Sequence, residues 1–246
     1  METPLLEVQR VSKSFGGVLA LDGIDFSIDR AEVVGLIGPN GAGKTTLFNV
    51  ICGLPPTAGR VRFKGEDITG LAPHRICRRG IARTFQLTRP FVELSVRDNV
   101  AAAVLFGRTR GTVSSLGDAR HEADRILSGV KLDHRTQTVA RDLLFSERRR
   151  LEVARALATG PELLLLDEVM AGLTVGEAQE MVALLVKLKR ELALTLLVIE
   201  HVMKVVMTMC DRVVVLNYGS KLADGVPPAV AAHPAVIDAY LGVESA

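Results

Sequence analysis

The stretch Gly38–Thr45, G-P-N-G-A-G-K-T, decides the fold, because it matches the phosphate-binding loop pattern G-x-x-x-x-G-K-[ST]. The apolar run Val33–Ile37 precedes it, and the helix-forming stretch Thr46–Ile51 follows it. Glycines let such a loop turn its backbone N–H groups toward phosphate oxygens, and the N-terminus of the following helix completes the cradle. The sequence therefore predicts a strand, a loop and a helix that together bind a nucleoside triphosphate.

Each residue of this loop has an expected role toward the nucleotide. The Lys44 ammonium would reach the β- and γ-phosphates, and the Thr45 hydroxyl would bind Mg²⁺. The glycines would let the backbone turn so that its N–H groups face inward. The complete set of predicted loop contacts is Gly38, Pro39, Asn40, Gly41, Ala42, Gly43, Lys44, Thr45 and Thr46.

The composition narrows the class of protein. The chain has 246 residues, a formal net charge of only +2 and three scattered cysteines, so neither nucleic-acid binding nor a disulfide framework is indicated. Its apolar runs end after about eight residues, whereas a membrane helix needs about 20. The N-terminus has no basic region followed by an apolar stretch, so no signal peptide is expected. We expect a soluble intracellular protein that can still dock on a membrane protein.

Apolar periodicity predicts an α/β fold. Short runs separated by turn residues predict antiparallel strands at Leu6–Val11, Leu19–Ile28 and Val61–Phe63, beside the strand Val33–Ile37. Helical spacing predicts helices at Asp98–Phe106, Asp118–Leu127 and Glu147–Ala158. The last third alternates strands and helices at Leu163–Leu166, Glu177–Glu191, Thr195–Ile199, His201–Met209 and Arg212–Leu216, which predicts a parallel sheet. The expected fold is a phosphate-loop core with an antiparallel β subdomain and a helical subdomain insertion.

Two carboxylates, Asp167 and Glu168, follow the wholly apolar strand Leu163–Leu166. They could be no more than the charged exit of a buried strand. Beside a phosphate loop they favour a functional interpretation, since ligands of α/β proteins bind beyond the carboxyl ends of strands. Asp167 would then orient Mg²⁺ through its water shell, and Glu168 would polarise the attacking water.

Three further residues have both an ordinary and a functional interpretation. His201 follows a predicted strand and is either a cap or surface residue, or a donor to the γ-phosphate in the transition state. Gln86 is either an ordinary polar residue or an oxygen ligand of Mg²⁺. Phe15 is either a core residue or a stacking platform for adenine.

Taken together, these elements resemble the ATP-binding subunits of ABC transporters over nearly the whole chain. The closest likeness is to the subunits that energise branched-chain amino acid import, through R-T-F-Q at 83–86, R-R-L-E at 149–152, I-E-H at 199–201 and D-A-Y-L-G at 238–242. The matching functional positions are Walker A at Gly38–Thr46, Walker B at Asp167, the catalytic glutamate Glu168, the Q-loop Gln86, the switch histidine His201 and the adenine-stacking Phe15.

The resemblance implies one cassette over residues 1–246, with a core at about 1–86 and 160–246 and a helical subdomain at about 87–159. It implies an ATPase that uses Mg²⁺, with Glu168, His201 and Lys44 in catalysis and with Mg²⁺ at Thr45, Gln86 and Asp167. Its partners would be membrane-embedded permease subunits, a second ATPase subunit and, indirectly, a periplasmic or extracellular solute-binding protein. The location would be the cytoplasmic face of the cell membrane.

The chain departs from the family pattern where a partner cassette would meet it. The signature L-S-G-G-Q is replaced by L-L-F-S-E at Leu143–Glu147. Val169 stands where proline is usual, and Thr174 stands where the D-loop aspartate is expected. The resemblance thus implies an intact nucleotide side and a weakened partner-facing side, and we expect the second ATPase subunit to be a non-identical chain.

Other classes of nucleotide-binding protein share some of these motifs. A phosphate-loop switch GTPase would need N-K-x-D, which does not occur. A non-transport ABC ATPase usually carries two cassettes or a long coiled-coil insertion, for which 246 residues leave no room. Related urea importers and lipid exporters look similar and stay as alternatives.

The arginine run Arg148–Arg150 is interpreted as a solvated helix face rather than a nucleic-acid patch, because glutamates lie close by.

Overall fold

A computed structural model describes residues 3–85, 90–107, 113 and 115–241. The chain forms two compact units, one from Met1–Ile76 with Thr195–Ala246 and one from Cys77–Leu194. The strands are β1 Leu6–Phe15, β2 Val18–Ile28, β3 Val33–Ile37, β4 Ala58–Phe63, β5 Glu66–Asp67, β6 Ile81–Arg83, β7 Leu163–Asp167, β8 Thr195–Ile199, β9 Arg212–Asn217 and β10 Ser220–Gly225. The helices are α1 Lys44–Ile51, α2 Pro73–Arg79, α3 Val96–Phe106, α4 Leu116–Gly129, α5 Phe145–Ala158, α6 Val175–Leu192, α7 Met203–Met209, α8 Pro227–Ala231 and α9 Pro234–Leu241.

The antiparallel sheet of the first unit has the strand order β2-β1-β4-β5, which confirms the predicted antiparallel layer. Leu6 pairs with Ile28 on β2 and with Phe63 on β4, and all three side chains are buried. Such cross-strand apolar contacts stabilise the sheet and fix its register. The short β5 is an addition to the prediction, because two acidic residues carry no apolar pattern.

The parallel strands of the first unit place the phosphate loop. β3 lies between β8 and β9 and is parallel to both, while β10 pairs antiparallel with β9. Every residue of β3 and β8 is buried, as expected for strands covered on both faces. β8 has the same bounds as predicted. The loop that follows β3 therefore begins at the carboxyl end of a central strand, where α/β proteins bind ligands.

The second unit combines a strand pair with helices. β6 and β7 are parallel, with Arg83 opposite Leu165. The predicted helices of this region are confirmed as α3, α4, α5 and α6, each with slightly different ends. β6 is another addition, since its three residues are too few for a sequence pattern. None of the helices in the described part of the chain is long and apolar enough to cross a membrane.

The structure bears differently on the predicted fold class and on the predicted subdomain boundaries. The α/β class with an antiparallel layer and a helical region is confirmed. The two compact units divide the chain at positions other than residues 86 and 160. They are a different kind of division from the expected subdomains, whose boundaries stay a prediction.

Candidate functional site

The phosphate loop is held in a backbone shape that requires glycine at two positions. Gly38 and Gly43 have φ of 147° and 100°. A Cβ on Gly38 would lie 2.1 Å from the Leu216 carbonyl oxygen, and a Cβ on Gly43 would lie 2.6 Å from the Ala20 carbonyl oxygen. Any side chain there would displace backbone rather than a flexible tip. The spacing of these glycines thus encodes the loop's contact with its neighbouring strands.

Hydrogen bonds fix the same loop from two further segments. The Gly219 N–H donates to the Ala42 carbonyl at 3.2 Å, and the Ala42 N–H donates to the Pro39 carbonyl at 3.2 Å. The Gly38 N–H donates to the hydroxyl of Tyr240 in α9, whose pKa is raised by burial despite this hydrogen bond. The loop is therefore ordered by contacts within the protein, and the Gly38 and Ala42 N–H groups belong to those contacts.

Lys44 is the first residue of α1, not a loop residue before a helix at Thr46. Its side chain is 6% exposed, and its Nζ lies 2.6 Å from the Gly38 carbonyl oxygen and 2.8 Å from that of Pro39. The N-cap of α1 is Gly43, which has no side chain with which to cap the helix, and the first turn has no acidic residue. The helix N-terminus is thus suited to an anion.

The exposure of the predicted contacts agrees with a ligand-facing loop. Asn40, Gly41 and Thr45 are exposed, while Gly38, Ala42 and Lys44 are buried. A Cβ on Gly41 would meet nothing within 4 Å, although its φ of 80° favours glycine. Buried members anchor the loop and exposed members lie where solvent or a ligand can reach them.

Phe15 and His201 belong to the same unit, and in each case one ordinary interpretation is excluded. The Phe15 ring is 49% exposed at the end of β1, with the Lys13 Nζ 5.0 Å from its centroid, so it is not a core residue. His201 is exposed, and α7 begins at Met203 with Val202 as its N-cap, so His201 is not the cap. The predicted helix start at His201 is wrong, because α7 begins at Met203. The proposed nucleotide roles of both residues stay predictions.

In the second unit, Asp167 is the last residue of β7 and its side chain is 2% exposed. Its N–H donates to the Thr84 hydroxyl at 3.0 Å, and its Oδ2 accepts from the Arg83 Nη2 at 2.6 Å. The next residue, Glu168, is partly exposed and has φ of 51°. A glutamate in this left-handed region costs on the order of 1 kcal/mol, a strain typical of functional sites.

The predicted Mg²⁺ ligands that the structure describes are oxygen donors. In the first unit, Thr45 offers a hydroxyl at the N-terminus of α1, and in the second unit, taken by itself, Asp167 offers a carboxylate at the end of β7. Mg²⁺ prefers such oxygen ligands and usually takes few from protein, completing its shell with water and phosphate. Residues 3–85, 90–107 and 115–241 contain no cluster of three or more His, Cys, Asp or Glu side chains suited to a metal. Gln86, the third predicted ligand, lies outside the described residues.

The segment at the signature position, Leu143–Glu147, leads into α5. Leu144 and Phe145 are 64% and 49% exposed. The Glu147 Oε2 accepts from the Leu144 N–H at 2.9 Å, and its Oε1 lies 2.8 Å from the Arg135 Nε. Burial alone would raise the pKa of Glu147, but these hydrogen bonds outweigh it and the pKa is lowered. Glu147 is thus a helix-capping, charge-compensated residue of its own subunit.

Arg149 contradicts the interpretation of the arginine run as a solvated face, because it is only 4% exposed. Its Nη1 lies 3.5 Å from the Phe85 carbonyl oxygen and its Nη2 3.3 Å from that of Ala171. Its guanidinium also lies 5.2 Å from the centroid of the Phe145 ring. One buried cation therefore joins the signature position, the segment before Gln86 and the segment after Glu168.

Glu152 completes this buried cluster. One of its carboxylate oxygens accepts a short hydrogen bond from the Phe85 N–H, and the other lies 3.6 Å from the Arg149 Nη1. Burial raises the pKa of Glu152, although the Phe85 N–H and Arg149 act in the opposite direction. Removal of one member of such a pair leaves a buried charge without compensation, so the cluster fixes α5 against both segments.

Thr174, the departure at the D-loop position, has a structural role. It is the N-cap of α6: its N–H donates to the Glu177 Oε2 at 2.9 Å and its hydroxyl accepts from the Glu177 N–H at 3.4 Å. This reciprocal pair is a capping box. The backbone hydrogen bond from Thr174 is the main reason that the pKa of Glu177 is lowered.

Sequence reasoning did not identify Arg83, Arg149, Glu152 or Tyr240 as site residues. All four occur in the stretches that carry the resemblance, and that is the only signal that pointed to them. Their partners lie far away in sequence, as with Phe85 and Glu152, which are 67 residues apart. No local pattern can encode such a contact.

Two family models and several curated relatives match this chain. Residues 21–171 match the family model described as ABC transporter, and residues 220–246 match the model described as branched-chain amino acid ATP-binding cassette transporter. The chain is 42% identical to the high-affinity branched-chain amino acid transport ATP-binding protein BraF of Pseudomonas aeruginosa, over 98% of this chain and 99% of that protein.

Solved structures show the same architecture. An ATP-binding cassette of an ABC transporter in its ADP conformation is 32% identical, covers 98% of this chain and 99% of its own, and superposes with a TM-score of 0.85. A dimeric ATP-binding cassette in a post-hydrolysis state with ADP and Pi is 25% identical, with coverage of 90% and 98% and a TM-score of 0.81.

Proposed function

The chain belongs to the ABC transporter family of ATP-binding subunits, and we propose that its ATP hydrolysis energises the import of branched-chain or other hydrophobic amino acids. The observation that carries this proposal is the match to BraF over almost the full length of both chains. The match of residues 220–246 to a model specific to branched-chain amino acid cassettes adds independent support, because that segment lies outside the general ABC match.

In the first unit, the phosphate loop binds and orients the triphosphate. The backbone N–H groups and the N-terminus of α1 receive the phosphate oxygens, and Lys44 moves its ammonium from the Gly38 and Pro39 carbonyls to the β- and γ-phosphates. The exposed ring of Phe15 stacks on adenine. His201 donates a hydrogen bond to the γ-phosphate as charge develops there.

In the second unit, Asp167 and Glu168 serve the chemistry of hydrolysis. Asp167 orients the water shell of Mg²⁺, and Gln86 supplies a further oxygen ligand. Bound Mg²⁺ neutralises phosphate charge. Glu168 accepts the proton of the attacking water, and the strained backbone at Glu168 supports this role.

The permease contact is proposed from exposed apolar side chains. Phe91, Val92 and Leu94 follow the Q-loop position and are 52%, 49% and 41% exposed. The guanidinium of Arg155 lies 5.1 Å from the centroid of the Phe91 ring, so the ring packs against a cation of its own unit while about half of the residue stays exposed. Exposed apolar clusters of this kind favour protein docking. Phe91→Asp should abolish co-purification with the permease and leave ATP binding unchanged; retained association would remove this surface from the docking site.

We place the protein at the cytoplasmic face of the cell membrane, bound to permease subunits that receive solute from a periplasmic or extracellular binding protein. Its second ATPase subunit is proposed to be a different chain. Leu144 cannot donate to a γ-phosphate, and the Phe145 and Ser146 side chains prevent the close backbone approach that glycine permits. A partner with an intact signature would complete the Walker site of this chain.

Reconstitution tests the proposed function. The chain is co-expressed with the neighbouring permease, ATPase and binding-protein genes of its genome, and the complex is placed in proteoliposomes. We expect ATP-dependent uptake of labelled leucine, and no uptake when this chain carries Lys44→Ala. Uptake of labelled urea without uptake of leucine, isoleucine or valine would instead assign the chain to a urea importer.

A further inference from the structure

Arg83 and Asp167 form a buried ion pair in the second unit. The Arg83 Nη2 lies 2.6 Å from the Asp167 Oδ2, and the side chains are 9% and 2% exposed. A carboxylate removed from water to this degree needs a compensating charge and a hydrogen bond. Arg83 supplies both, although its position was not a predicted site residue.

The backbone around Arg83 holds the guanidinium at this carboxylate. Arg83 is paired with Leu165 in the β6–β7 ladder, and the pairing continues through the Thr84 N–H, which donates to the Leu165 carbonyl at 2.9 Å. The Asp167 N–H donates in turn to the Thr84 hydroxyl at 3.0 Å. The Phe85 ring centroid lies 5.4 Å from the guanidinium carbon. The paired strands β6 and β7 therefore fix the backbone of both residues, and this places the two side chains at hydrogen-bonding distance.

A guanidinium and a divalent cation are alternative counter-ions for one carboxylate, because the two cations repel each other at short distance. We propose that Arg83 is the resident counter-ion of Asp167, and that it makes Mg²⁺ binding depend on the nucleotide. This inference rests on the proposed role of Asp167 toward Mg²⁺. With Arg83 in place the pair is electrically neutral, so the phosphates must provide the negative charge that brings the metal.

The consequence is measurable as the ratio of two ATP affinities, one with Mg²⁺ and one with EDTA. Arg83→Met removes the charge and keeps an apolar stem, which leaves Asp167 to be neutralised by the metal. We expect this variant to raise the ratio at least about tenfold, the scale of one change in local charge. Arg83→Lys keeps the charge and can place an N–H donor at the Asp167 Oδ2, so we expect a ratio within about threefold of the parent.

Calorimetric titration of ATP with Mg²⁺ and with EDTA is carried out on the parent chain, Arg83→Met, Asp167→Asn and the double variant. Asp167→Asn should lower the ratio, and Arg83→Met should have a smaller effect in that background than in the parent, because no carboxylate remains to exchange counter-ions. Arg97→Met is the matched control, because it removes another ion pair of the same unit, to Asp124 at 2.7 Å. The control should leave the ratio unchanged.

Thermal unfolding gives a second readout that does not depend on turnover. Arg83→Met should unfold at a lower temperature than the parent in EDTA, and Mg-ATP should raise its midpoint by more than it raises that of the parent. If Arg83→Met does not fold, Arg83→Gln, which can donate to the Asp167 Oδ2 without a charge, carries the same expectations.

The outcomes separate this inference from the proposed function on which it rests. A ratio that Asp167→Asn leaves unchanged would remove Asp167 from the Mg²⁺ site, and the inference would fail with its premise. A lower ratio in Asp167→Asn, together with an unchanged or lower ratio in Arg83→Met, would overturn the counter-ion role alone. The ATP site would then stand, with Arg83 reduced to a structural residue.

Discussion

The phosphate loop and the signature segment Leu143–Glu147 each lead into a helix, and they differ in what occupies their glycine positions. In the phosphate loop, Gly38 and Gly43 keep positive φ and close contacts with carbonyl oxygens that exclude a Cβ. In the signature segment, Phe145 and Ser146 stand where the family pattern has glycines. The first loop keeps glycine where its backbone contacts require it, whereas the second has side chains at both positions.

Those side chains have contacts within their own subunit. The Phe145 ring lies against Gly172, where an added Cβ would come within 2.9 Å of the ring, and Arg149 lies over the same ring. Glu147 caps α5 and pairs with Arg135. The two segments therefore differ in what fixes their residues. Close backbone contacts require glycine in the phosphate loop, whereas packing and ion pairs within the subunit involve the side chains of the signature segment.

The largest expected effect is at the phosphate loop. Lys44→Ala should abolish measurable Mg-ATP binding in calorimetry, because it deletes the charge-assisted contacts to the phosphates. The variant should stay folded by circular dichroism, since the hydrogen bonds from the Lys44 Nζ to the Gly38 and Pro39 carbonyls lie within the loop itself. Lys187→Ala, which removes an exposed lysine paired with Glu191, is the control and should bind normally. An affinity of Lys44→Ala within a few-fold of the parent would refute the assignment of the loop.

The next effect separates binding from chemistry. In the assembled complex, Glu168→Gln should slow hydrolysis about a hundredfold or more while ATP affinity stays near that of the parent, the pattern expected for loss of a general base. Glu180→Gln is the control, since this exposed carboxylate pairs with Arg150 on the surface of the same unit. Turnover of Glu168→Gln at the parent rate would mean that another residue activates the water.

A smaller effect is expected at the signature segment. The combined changes Leu144→Ser, Phe145→Gly, Ser146→Gly and Glu147→Gln should raise the ATPase activity of the isolated chain about tenfold or more, because they restore one or two charge-assisted hydrogen bonds of roughly 1.5–3 kcal/mol each. The same changes should lower the unfolding temperature, since two glycines in the first turn of α5 and the loss of the Phe145 ring destabilise the helix. Unchanged activity in a folded variant would mean that the segment does not limit the isolated chain.

The sequence predicted the phosphate loop better than the signature segment for a physical reason. Glycine spacing, a buried strand and a helix start are local features, so the loop and the strand Thr195–Ile199 could be located from the pattern alone. The burial of Arg149 could not, because it depends on Phe85 and Ala171, which lie far from it along the chain. A run of three arginines beside glutamates has the same local pattern whether its middle member is exposed or buried.

Short elements escaped prediction for a related reason. β6 has three residues and β5 two, and their pairing is decided by neighbouring strands rather than by their own periodicity. The start of α7 at Met203 instead of His201 follows from an extended Val202, which no capping pattern announced. The role of Thr174 as a cap was, in contrast, encoded locally by Glu177 three residues on.

We expect the chain to have an intact nucleotide side and a weakened partner-facing side. Sedimentation of the Glu168→Gln variant with ATP measures both properties in one experiment. Loss of the signature hydrogen bonds should weaken closure of a homodimer at least about tenfold. At micromolar concentration the variant should bind ATP and remain a monomer, and it should dimerise once the signature residues are restored or an ATPase chain with an intact signature is added. A tight ATP-dependent homodimer with the unmodified Leu143–Glu147 segment would contradict the account.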